Sequence, residues 1–557
     1  MNGPATGTSR ASDPVWLIDS TARGTAIPPP EQVGLKAHNL MRMARLGLPV
    51  PPALVLGVDL CVDYLSGDGQ RLGALLRSHM RGLEAASGLA FGSPRRPLLV
   101  SVRSGAAASM PGALESVLNV GLTETTLRGL LRLHGNPRLA WDCYRRLVQT
   151  YAEVVRRCPS EPFERALQQR LAAEGAERAR DLDATALARL AAEFLTLYRS
   201  LAGAPFPQDP WEQLEEATAA VFRSWNAPKA VVFREMSHVA GVAGTAVAIQ
   251  MMVFGNAGGT SGSGVGFTRD PATGENRLYV DFLFGAQGED VVSGRQAISG
   301  SEALGLVLPA VRDEIVAALP ALEAEFGDAQ DFEFTIEEGR LYLLQTRIGK
   351  RTPWAALRIA VDMVTEGLIT PTEALRRLGG LDLSALERRR LRPEPGVGPL
   401  ARGTPAGLGA ATGVIALSAG RARDVAAAGT SVILVRRDIT TADIVGINAA
   451  AGVLTALGGR TSHAAVIARQ LDKVCVVGCT GLLIDPDGTH VTLGGRRFTE
   501  GDALSLDGDS GAVYSGILPV ERERPEAELR CVDGWRGAGA STPHAECEPA
   551  SHERSSA

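Results

Sequence analysis

The sequence predicts a multidomain protein of mixed structure, α+β in its first part and β-rich α/β in its second. The chain has 557 residues, of which 45% are hydrophobic and 21% charged, so it can bury the cores of more than one domain. Before residue 350, apolar runs such as GTAVAIQMMVF, typical of strands, alternate with amphipathic runs typical of helices. After residue 403, short strand-like runs separated by turn residues predominate.

Composition divides the chain into five segments. Residues 1–30 are rich in Gly, Pro, Ser and Thr, which predicts a flexible N-terminus apart from a short strand in VWLID. Residues 31–350 form the α+β domain, 351–402 form a helical segment and a Pro- and Gly-rich linker, and 403–518 form the β-rich domain. Residues 519–557 are charged and rich in small side chains, so we predict a disordered tail.

Charge and composition narrow the class of partner. A net charge of −5 gives no general reason to expect nucleic acid or an anionic membrane. No run reaches the roughly 18 apolar residues of a membrane helix, and the N-terminus lacks a secretory pattern. The seven cysteines show no paired spacing, which indicates free thiols in a reducing compartment. We therefore expect a cytoplasmic protein without nucleic-acid or membrane partners.

Two stretches contain the small residues that phosphate-binding loops use. In VSVRSGAAASMPG a strand delivers Arg103 to its end, where a guanidinium could hold phosphate oxygens beside a close-approaching loop. An exposed arginine at an ordinary turn is the alternative. In FGNAGGTSGSGVGF, backbone N–H groups around Gly262 and Gly264 could face an anion. The stretch lacks a Walker lysine, so a flexible hairpin tip is the alternative there.

The stretch DFEFTIEEGRLYLLQTR predicts a half-buried hairpin with a carboxylate face. Alternation places Asp331 and Glu333 on one face and phenylalanines on the other. A three-residue loop centred on a left-handed Gly339 would set Gln345 opposite Glu333. Two such oxygen ligands would suit a Mg²⁺ ion that also holds nucleotide phosphates. A two-residue turn would instead send Gln345 to the phenylalanine face.

A histidine lies where a helix is expected to begin. In LTALGGRTSHAAVIARQL, a strand leads through a glycine turn to a cap at Thr461 or Ser462, which places His463 in the first helical turn. Unpaired N–H groups and the helix dipole favour an anion there, and neutral imidazole is a nucleophile near cellular pH. His463 could therefore accept a phosphoryl group. From position alone, a capping-region histidine that makes one hydrogen bond is the favoured interpretation.

These motifs together resemble one enzyme family. GGRTSHAAVIAR resembles the phosphohistidine signature of enzymes that make or use phosphoenolpyruvate (PEP), and the flanking stretches narrow the resemblance to pyruvate, phosphate dikinases. The resemblance runs almost continuously from Gly34 to Leu518 and includes GLKAHNLMRMARLGLPVPP, LLVSVRSGAAASMPGALESVLNVGL, GVGFTRDPATGE and DFEFTIEEGRLYLLQTRIGKRT. It implies an ATP-grasp nucleotide-binding domain over 31–350 and a swivelling β/β/α phosphohistidine domain over 403–518.

The resemblance also implies roles for individual residues. ATP would phosphorylate His463 with its β-phosphoryl group while the γ-phosphoryl group passes to inorganic phosphate, which gives AMP and pyrophosphate. Thr461 occupies a position that a regulatory kinase phosphorylates in some plant members, although a plain helix cap is the simpler role. Mg²⁺ would bind Glu333 and Gln345. The residues implied to contact ATP are Lys36, Arg103, Asp331, Glu333, Gln345, Arg347, Gly262 and Gly264.

The sequence departs from the family pattern in four places, one of which is the loop GGTSGSG, where the acidic residues often found in the family are missing. GLKAHNL stands where the family usually has GGKGANL, which raises the question of the backbone geometry around Lys36. Arg460 stands where dikinases usually have methionine, and arginine there is more typical of PEP synthases. The family's C-terminal PEP/pyruvate-binding barrel has no counterpart after Leu518, so the resemblance implies a truncated dikinase that hands its phosphoryl group to a separate PEP/pyruvate-binding protein.

Two alternatives were weighed against this interpretation. One is a PEP-synthase-like or other small-molecule dikinase that uses the same phosphohistidine, and the domain order disfavours glucan and rifamycin dikinases. The other is a non-catalytic ATP-binding regulatory module, against which the retained Lys36, Arg103 and His463 count. The sequence leaves open the final acceptor, whether phosphate or water takes the γ-phosphoryl group, and whether the chain forms a homodimer.

Overall fold

The computed structural model describes residues 13–20, 26–108, 110, 114–236, 243–292, 301–439, 443–459, 462–485 and 488–537. The chain forms two compact units, one made of Met1–Gly259 with Tyr342–Gln345, and the other of Thr260–Leu341 with Thr346–Ala557. The span predicted as the ATP-grasp domain is therefore divided between the two units. Among the described helices, none combines the length and the apolar character needed to cross a membrane.

The first unit, in its described part, combines a five-stranded sheet with helices. Its strands are β1 (Val15–Ile18), β2 (Ala53–Leu56), β3 (Ala90–Phe91), β4 (Pro97–Leu98), β5 (Val100–Gly105), β6 (Ser116–Val120) and β7 (Ala246–Met251). The sheet has the order β1-β2-β7-β5-β6, and β3 pairs with β4. The helices are α1 (Pro30–Arg45), α2 (Val58–Leu65), α3 (Leu72–Ser87), α4 (Glu124–His134), α5 (Pro137–Val154), α6 (Glu161–Glu174), α7 (Ala184–Ala202), α8 (Pro210–Ser224) and α9 (Pro228–Met236), with a 3-10 turn at Ala179–Asp181.

Strand β5 shows how the core of this unit positions a charged side chain. Every residue of Val100–Gly105 is buried except Arg103, which is half-buried. A neighbouring strand lies on each side of β5, so its backbone is held by both ladders. The local sequence therefore holds Arg103 on a rigid element and not on a loop.

The second unit begins with a four-stranded antiparallel sheet in the order β11-β10-β8-β9. Its strands are β8 (Gly262–Phe267), β9 (Tyr279–Phe284), β10 (Gln330–Glu337) and β11 (Arg340–Ile348), of which β11 also contributes residues 342–345 to the first unit. The helices that follow its strands are α10 (Gly288–Val292), α11 (Ser301–Val307), α12 (Pro309–Phe326), α13 (Pro353–Thr365) and α14 (Pro371–Leu378), with a 3-10 turn at Leu383–Ala385.

The rest of the second unit is the β-rich α/β domain that the sequence predicts. Its strands are β12 (Arg388–Leu391), β13 (Ala401–Arg402), β14 (Thr404–Gly407), β15 (Ala410–Ala416), β16 (Val432–Arg436), β17 (Gly452–Thr455), β18 (Val474–Val477), β19 (Leu482–Ile484), β20 (His490–Leu493), β21 (Arg496–Thr499), β22 (Ala503–Asp507), β23 (Ala512–Ser515) and β24 (Val520–Glu523). An eight-stranded sheet has the order β13-β23-β22-β15-β16-β17-β18-β14, and its strands β15 to β18 run parallel. The helices are α15 (Ala419–Ala427), α16 (Ile444–Ala449), α17 (His463–Gln470) and α18 (Glu526–Gly537).

The predicted disorder of 519–557 is wrong as far as residue 537. Strand β24 pairs antiparallel with β12, and α18 packs on α13 and α14. Val532 and Trp535, three positions apart on one face of α18, are buried in the cluster that contains Leu357 and Leu378. The prediction relied on the charged composition of this stretch and missed two apolar side chains at helical spacing. That spacing gives the helix an apolar face that can pack on its neighbours. Residues 538–557 lie outside the described residues.

The cysteines follow the prediction with one exception. In the described part of the chain, Cys61, Cys143, Cys158, Cys475 and Cys479 are free thiols. Cys531 is disulfide-bonded, which the prediction of free thiols did not foresee.

Candidate functional site

Three of the predicted ATP-binding side chains line one pocket of the first unit. They are Lys36 from α1, Arg103 from β5 and Gln345 from β11. Ser104 and Gln250 add further polar groups to the same pocket. The free volume of this pocket is about 10 Å³, about the space that one water molecule needs, so it gathers two cations and an amide that could contact phosphate oxygens but has no room for a nucleotide.

Gly34 explains how the lysine segment tolerates its unusual sequence. Gly34 has a φ of 76°, and a Cβ atom there would lie 2.1 Å from the carbonyl oxygen of Gly105. The next residue, Leu35, donates its N–H to the carbonyl oxygen of Ala106 at 2.8 Å. Only glycine permits this close left-handed approach, which joins the start of α1 to the loop after β5. The position that needs glycine is retained, so the substitutions around Lys36 leave this junction intact.

The second unit carries a row of acidic side chains on one face of its first sheet. Asp281 lies opposite Val265, and Val265 lies opposite Glu333, so these residues share a face. Asp331 lies two positions before Glu333 and has the same orientation. Nε of Arg347 donates to Oδ2 of Asp331 at 2.8 Å. The predicted carboxylate face therefore forms, and it includes Asp281, which was not among the predicted site residues.

Asp331 combines deep burial with an incomplete set of partners. Its Oδ1 atom is buried and has no hydrogen-bond partner in the described part of the protein. Burial raises the pKa of the Asp331 carboxyl above its usual value, while the guanidinium of Arg347 acts in the opposite direction. A buried carboxylate oxygen without a donor fits a place where a cation or a ligand donor completes the site.

The hairpin turn differs from the expected three-residue loop. Glu338 and Gly339, with φ of 48° and 79°, form a two-residue turn with both residues left-handed. At the end of the hairpin away from the turn, however, the N–H of Gly349 donates to the carbonyl oxygen of Ala329 at 2.9 Å, so these two residues lie opposite each other. A three-residue loop would give this same pairing. Strand β11 therefore accommodates one extra residue between its two ends.

The acidic residues do not form a preassembled metal cage. In the described ranges, no group of three or more His, Cys, Asp or Glu side chains is arranged to hold a metal ion. Mg²⁺ at nucleotide sites commonly takes one or two protein oxygens and completes its shell with phosphates and water. Glu333 is half-buried on β10 and Gln345 lies in the pocket of the first unit, so their role as a Mg²⁺ ligand pair stays a prediction.

The predicted phosphate-binding role of Gly262 and Gly264 is wrong. Both residues lie within β8, which is paired on both sides by β10 and β9, so their backbone groups belong to sheet ladders and not to an anion-binding loop. A Cβ atom would lie 2.2 Å from the ring of Phe282 at Gly262, and 2.4 Å from the ring of Phe334 at Gly264. These glycines make room for aromatic rings of the neighbouring strands.

The phosphohistidine motif folds as predicted at the level of the backbone. Strand β17 leads through Gly458, with a φ of 103°, into helix α17, which begins at His463. Ser462 is the N-cap, and its hydroxyl accepts a hydrogen bond from the N–H of Ala465 at 3.5 Å. The start of this eight-residue helix therefore offers the unpaired N–H groups that favour an anion. Thr461, Arg460 and the side chain of His463 lie outside the described residues.

A buried arginine in the same helix was not predicted. Arg469 lies in the last turn of α17 and is 6% exposed, although it belongs to a run that reads as an ordinary helix former. Ala465 and Ala468 of this helix are fully buried against the sheet. Nothing in the local sequence distinguishes it from a solvated arginine near the end of a helix.

Comparison with known proteins agrees with this architecture. Residues 70–298 match the family model for the pyruvate phosphate dikinase AMP/ATP-binding domain, and residues 429–511 match that for the PEP-utilising enzyme mobile domain. The chain is 41% identical to pyruvate, phosphate dikinase of Clostridium symbiosum over 509 residues, 90% of this chain and 58% of the relative. It is 41% identical to pyruvate, phosphate dikinase 2 of Zea mays, covering 91% of this chain and 58% of the relative. It is 40% identical to pyruvate, phosphate dikinase of Rhizobium meliloti, with the same coverage.

The chain therefore spans 58% of the length of these curated relatives. The two family models match within the spans predicted for the nucleotide-binding and phosphohistidine domains. The chain accordingly carries the two domains of a pyruvate, phosphate dikinase-like protein, the AMP/ATP-binding domain and the mobile domain of PEP-utilising enzymes.

Proposed function

We propose that the chain is a dikinase-type phosphotransferase in which ATP phosphorylates His463. The γ-phosphoryl group passes to inorganic phosphate, and the products are AMP, pyrophosphate and the phosphohistidine. The observation that carries this proposal is the pocket that gathers Lys36, Arg103 and Gln345. A cytoplasmic setting, in which ATP and phosphate are available, is part of the proposal.

The chemistry requires charge neutralisation and alignment more than covalent machinery. Lys36 and Arg103 would neutralise phosphate oxygens, and Arg347, oriented by Asp331, would supply a third cation. Glu333 and Gln345 would hold Mg²⁺, which would supply positive charge to neutralise the phosphates. As the bond from the histidine nitrogen to the β-phosphorus forms, the bond between that phosphorus and the oxygen that bridges the α- and β-phosphates breaks, and AMP leaves with the electron pair. An oxygen of inorganic phosphate then attacks the γ-phosphorus, the bond from that phosphorus to the oxygen that bridges the β- and γ-phosphates breaks, and pyrophosphate leaves the phosphohistidine behind.

The fate of the phosphoryl group is a second step of the proposal. We propose that it passes from His463 to pyruvate bound by a separate partner chain, and that this transfer yields PEP. The support is the similarity to pyruvate, phosphate dikinases. Mixing the phosphorylated chain with pyruvate and a PEP/pyruvate-binding protein should return the chain to its unphosphorylated mass.

The first step can be tested directly. The chain is incubated with ATP, Mg²⁺ and phosphate, and its intact mass is measured under alkaline conditions that preserve phosphohistidine. We expect the mass of one phosphoryl group to be added, with AMP in equal amount, and the His463→Asn variant to show neither. A wild-type chain that gains no phosphoryl group would refute the proposal. Omitting phosphate from the reaction tests whether phosphate or water takes the γ-phosphoryl group.

A further inference from the structure

A cavity of about 600 Å³ in the second unit lies at the edge of the eight-stranded sheet that is away from the phosphohistidine motif. Its lining includes Ala410, the first residue of β15, and Ser431, Ala451 and Lys473, which directly precede β16, β17 and β18. Because these four strands run parallel, the cavity lies at their N-terminal edge. Helix α17 begins at His463, after the C-terminal end of β17. The cavity is therefore separate from the proposed phosphorylation site.

The lining of this cavity carries an excess of positive charge. Four cationic side chains and two carboxylates line it, so cations outnumber carboxylates by two. Thr352 and Trp354 bring the N-terminus of α13 to the same cavity, and the first turn of a helix favours anions. The charged lining residues are Arg388, Arg389, Arg522, Lys473, Glu387 and Asp472. This charge favours a ligand with more than one negative charge.

Two of the four cations have no ion-pair partner in the described part of the chain. Nη1 of Arg522 lies 3.3 Å from Oε1 of Glu387, whereas no described carboxylate lies within 4.0 Å of Arg389 or Lys473. Strand pairing places Arg389 directly opposite Arg522. Like charges directly opposite each other destabilise a pair of strands, and an anion between them would remove the repulsion. These cations therefore have the charge and the position to bind an anion.

The size of the cavity indicates an organic anion. Small-molecule sites commonly enclose about 300–1,000 Å³, and this cavity lies within that range. A single inorganic phosphate or sulfate ion would leave most of its volume empty. Leu408, Val474 and Val520 contribute apolar surface that could contact the carbon skeleton of a ligand. Phosphate and carboxylate groups both suit guanidinium and ammonium donors.

The cavity lies between α13 and the sheet of the phosphohistidine domain. Thr352 joins α13 to the loop between β8 and β9, because its N–H donates to the carbonyl oxygen of Pro271 at 3.0 Å and its hydroxyl donates to that of Ala272 at 2.8 Å. The guanidinium of Arg388 on β12 lies 5.5 Å from the centroid of the Trp354 ring on α13. A ligand in this cavity would contact α13 and the phosphohistidine domain at the same time.

We propose that this cavity binds an organic anion with at least two negative charges, and that the bound anion holds the phosphohistidine domain against α13. Its phosphate or carboxylate groups lie among Arg389, Arg522 and Lys473. The anion thereby restrains the domain that carries His463. Binding does not depend on the proposed phosphorylation of that histidine.

Calorimetric titration tests the site with two probes, fructose bisphosphate for phosphate groups and citrate for carboxylate groups. We expect at least one of them to bind the wild-type chain at a single site. Arg389→Gln should weaken that binding about tenfold or more, the usual loss for one hydrogen bond to a charged group. Arg390→Gln is the matched control and should bind as wild type, because Arg390 is the next residue of the same strand, faces the opposite side and does not line the cavity.

A second variant and a stability measurement protect the test against misfolding. Lys473→Gln changes a cation that precedes β18 and should also weaken binding. Arg389 is exposed, and its removal relieves the repulsion with Arg522, so the melting temperature of Arg389→Gln without anion should equal or exceed that of wild type.

Hydrogen exchange tests the restraint on the domain. Strands β12 and β24 lie between α13 and the phosphohistidine domain, so a bound anion should oppose their opening. With the anion at about 100 times its Kd, amide exchange in β12 and β24 should slow about tenfold or more.

The outcomes separate this inference from the proposed function. Binding of neither probe would overturn the inference. Equal affinity of the wild-type chain and both cavity variants would also overturn it, because the anion would then bind elsewhere. Binding that leaves exchange in β12 and β24 unchanged would refute the restraint on the domain. None of these measurements uses ATP, so a chain that binds the anion and gains no phosphoryl group would overturn the proposed function alone.

Discussion

Replacing Gly264 with alanine should destabilise the second unit without weakening ATP binding. The added Cβ atom would lie 2.4 Å from the ring of Phe334 and 2.9 Å from the carbonyl oxygen of Asp281. Carbon atoms in contact prefer a separation of about 3.5–4.0 Å, so one of these neighbours has to move. Phe334 is 1% exposed and its ring stacks on that of Phe282 with centroids 5.8 Å apart, so the ring has no free space to enter.

The size of the effect follows from this overlap. Forcing one extra methyl group into a packed core costs about 1–3 kcal/mol. The lower backbone entropy of unfolded alanine offsets about 0.5–1 kcal/mol of that cost. We therefore expect a loss of about 1–2 kcal/mol in the free energy of unfolding. The melting temperature should fall by about 2–4 °C per kcal/mol for a unit of this size.

The assay combines thermal unfolding by circular dichroism with calorimetric titration of ATP. Gly259→Ala is the matched control, because a Cβ atom there would meet nothing within 4 Å, and its stability should stay within about 0.5 kcal/mol of wild type. A Gly264→Ala protein with wild-type stability and weaker ATP binding would refute the packing explanation. It would also restore the phosphate-loop interpretation that the strand position contradicts.

Three further substitutions test the charge and packing arguments. Arg347→Gln removes the cation that lowers the pKa of Asp331, so this pKa should rise further above its usual value. In a pH profile of the rate of AMP formation, the fall in rate on the acid side should then begin at higher pH. An unchanged profile would contradict the effect of Arg347 on Asp331. Burial raises the pKa of Asp142, but three neighbouring arginines lower it, to about 2. Asp142→Asn should therefore be less stable by about 2 kcal/mol at pH 7, and denaturant titrations should show the difference vanishing as the pH falls from about 4 towards 2. Trp535→Ala should lower the free energy of unfolding, measured by denaturant titration, by about 3–5 kcal/mol. The control Arg530→Ala, at an exposed position of the same helix, should lower it by under about 0.5 kcal/mol. Equal stability of the two variants would mean that α18 is not packed on the protein.

Local sequence could predict those features whose signal lies within a single helix or strand. The alternation around Asp331 and Glu333 places them on one face, because strand geometry has a period of two. The start of α17 follows from a glycine turn and a serine cap, which act within a few residues of His463. That Lys36 and Arg103 share one pocket was predicted only from the resemblance to a family, since nothing in either segment alone predicts that they meet.

The glycines of β8 show why glycine content alone led to a wrong prediction of a phosphate-binding loop. A glycine that frees a loop and a glycine that makes room for a ring look identical in sequence. The difference lies in Phe282 and Phe334, which face Gly262 and Gly264 from strands separated by long stretches of chain. Arg469 escaped notice for a related reason, because Ala406, whose carbonyl oxygen it contacts, lies on another strand 63 residues earlier in the chain.

The buried charges around α13 restrict where the phosphohistidine domain can swivel. The sequence predicts hinges in 351–402 and after 518, and α13 begins that first segment. Arg269 has no exposed side-chain surface and pairs with both Glu323 on α12 and Glu366 at the end of α13. Movement of α13 away from this sheet would separate Arg269 from Glu366, whose side chain is 35% exposed, while the buried pair of Arg269 with Glu323 would remain.

The paired strands β12 and β24 are themselves held to the phosphohistidine domain, because Nη2 of Arg388 on β12 donates to Oδ2 of Asp509 at 2.7 Å and both side chains are mostly buried. These strands bring the incoming and outgoing connections of the phosphohistidine domain side by side, so the domain is joined through one ribbon. A body joined at one place can rotate about it, whereas a body joined at two distant places cannot do so without strain. The stretch RPEPGVGPL that follows β12 supplies the Pro–Gly chain between the ribbon and the domain. Because β12 and β24 contact the phosphohistidine domain while α18 packs on α13 and α14, we expect the swivel to lie between α14 and β12 and between β24 and α18.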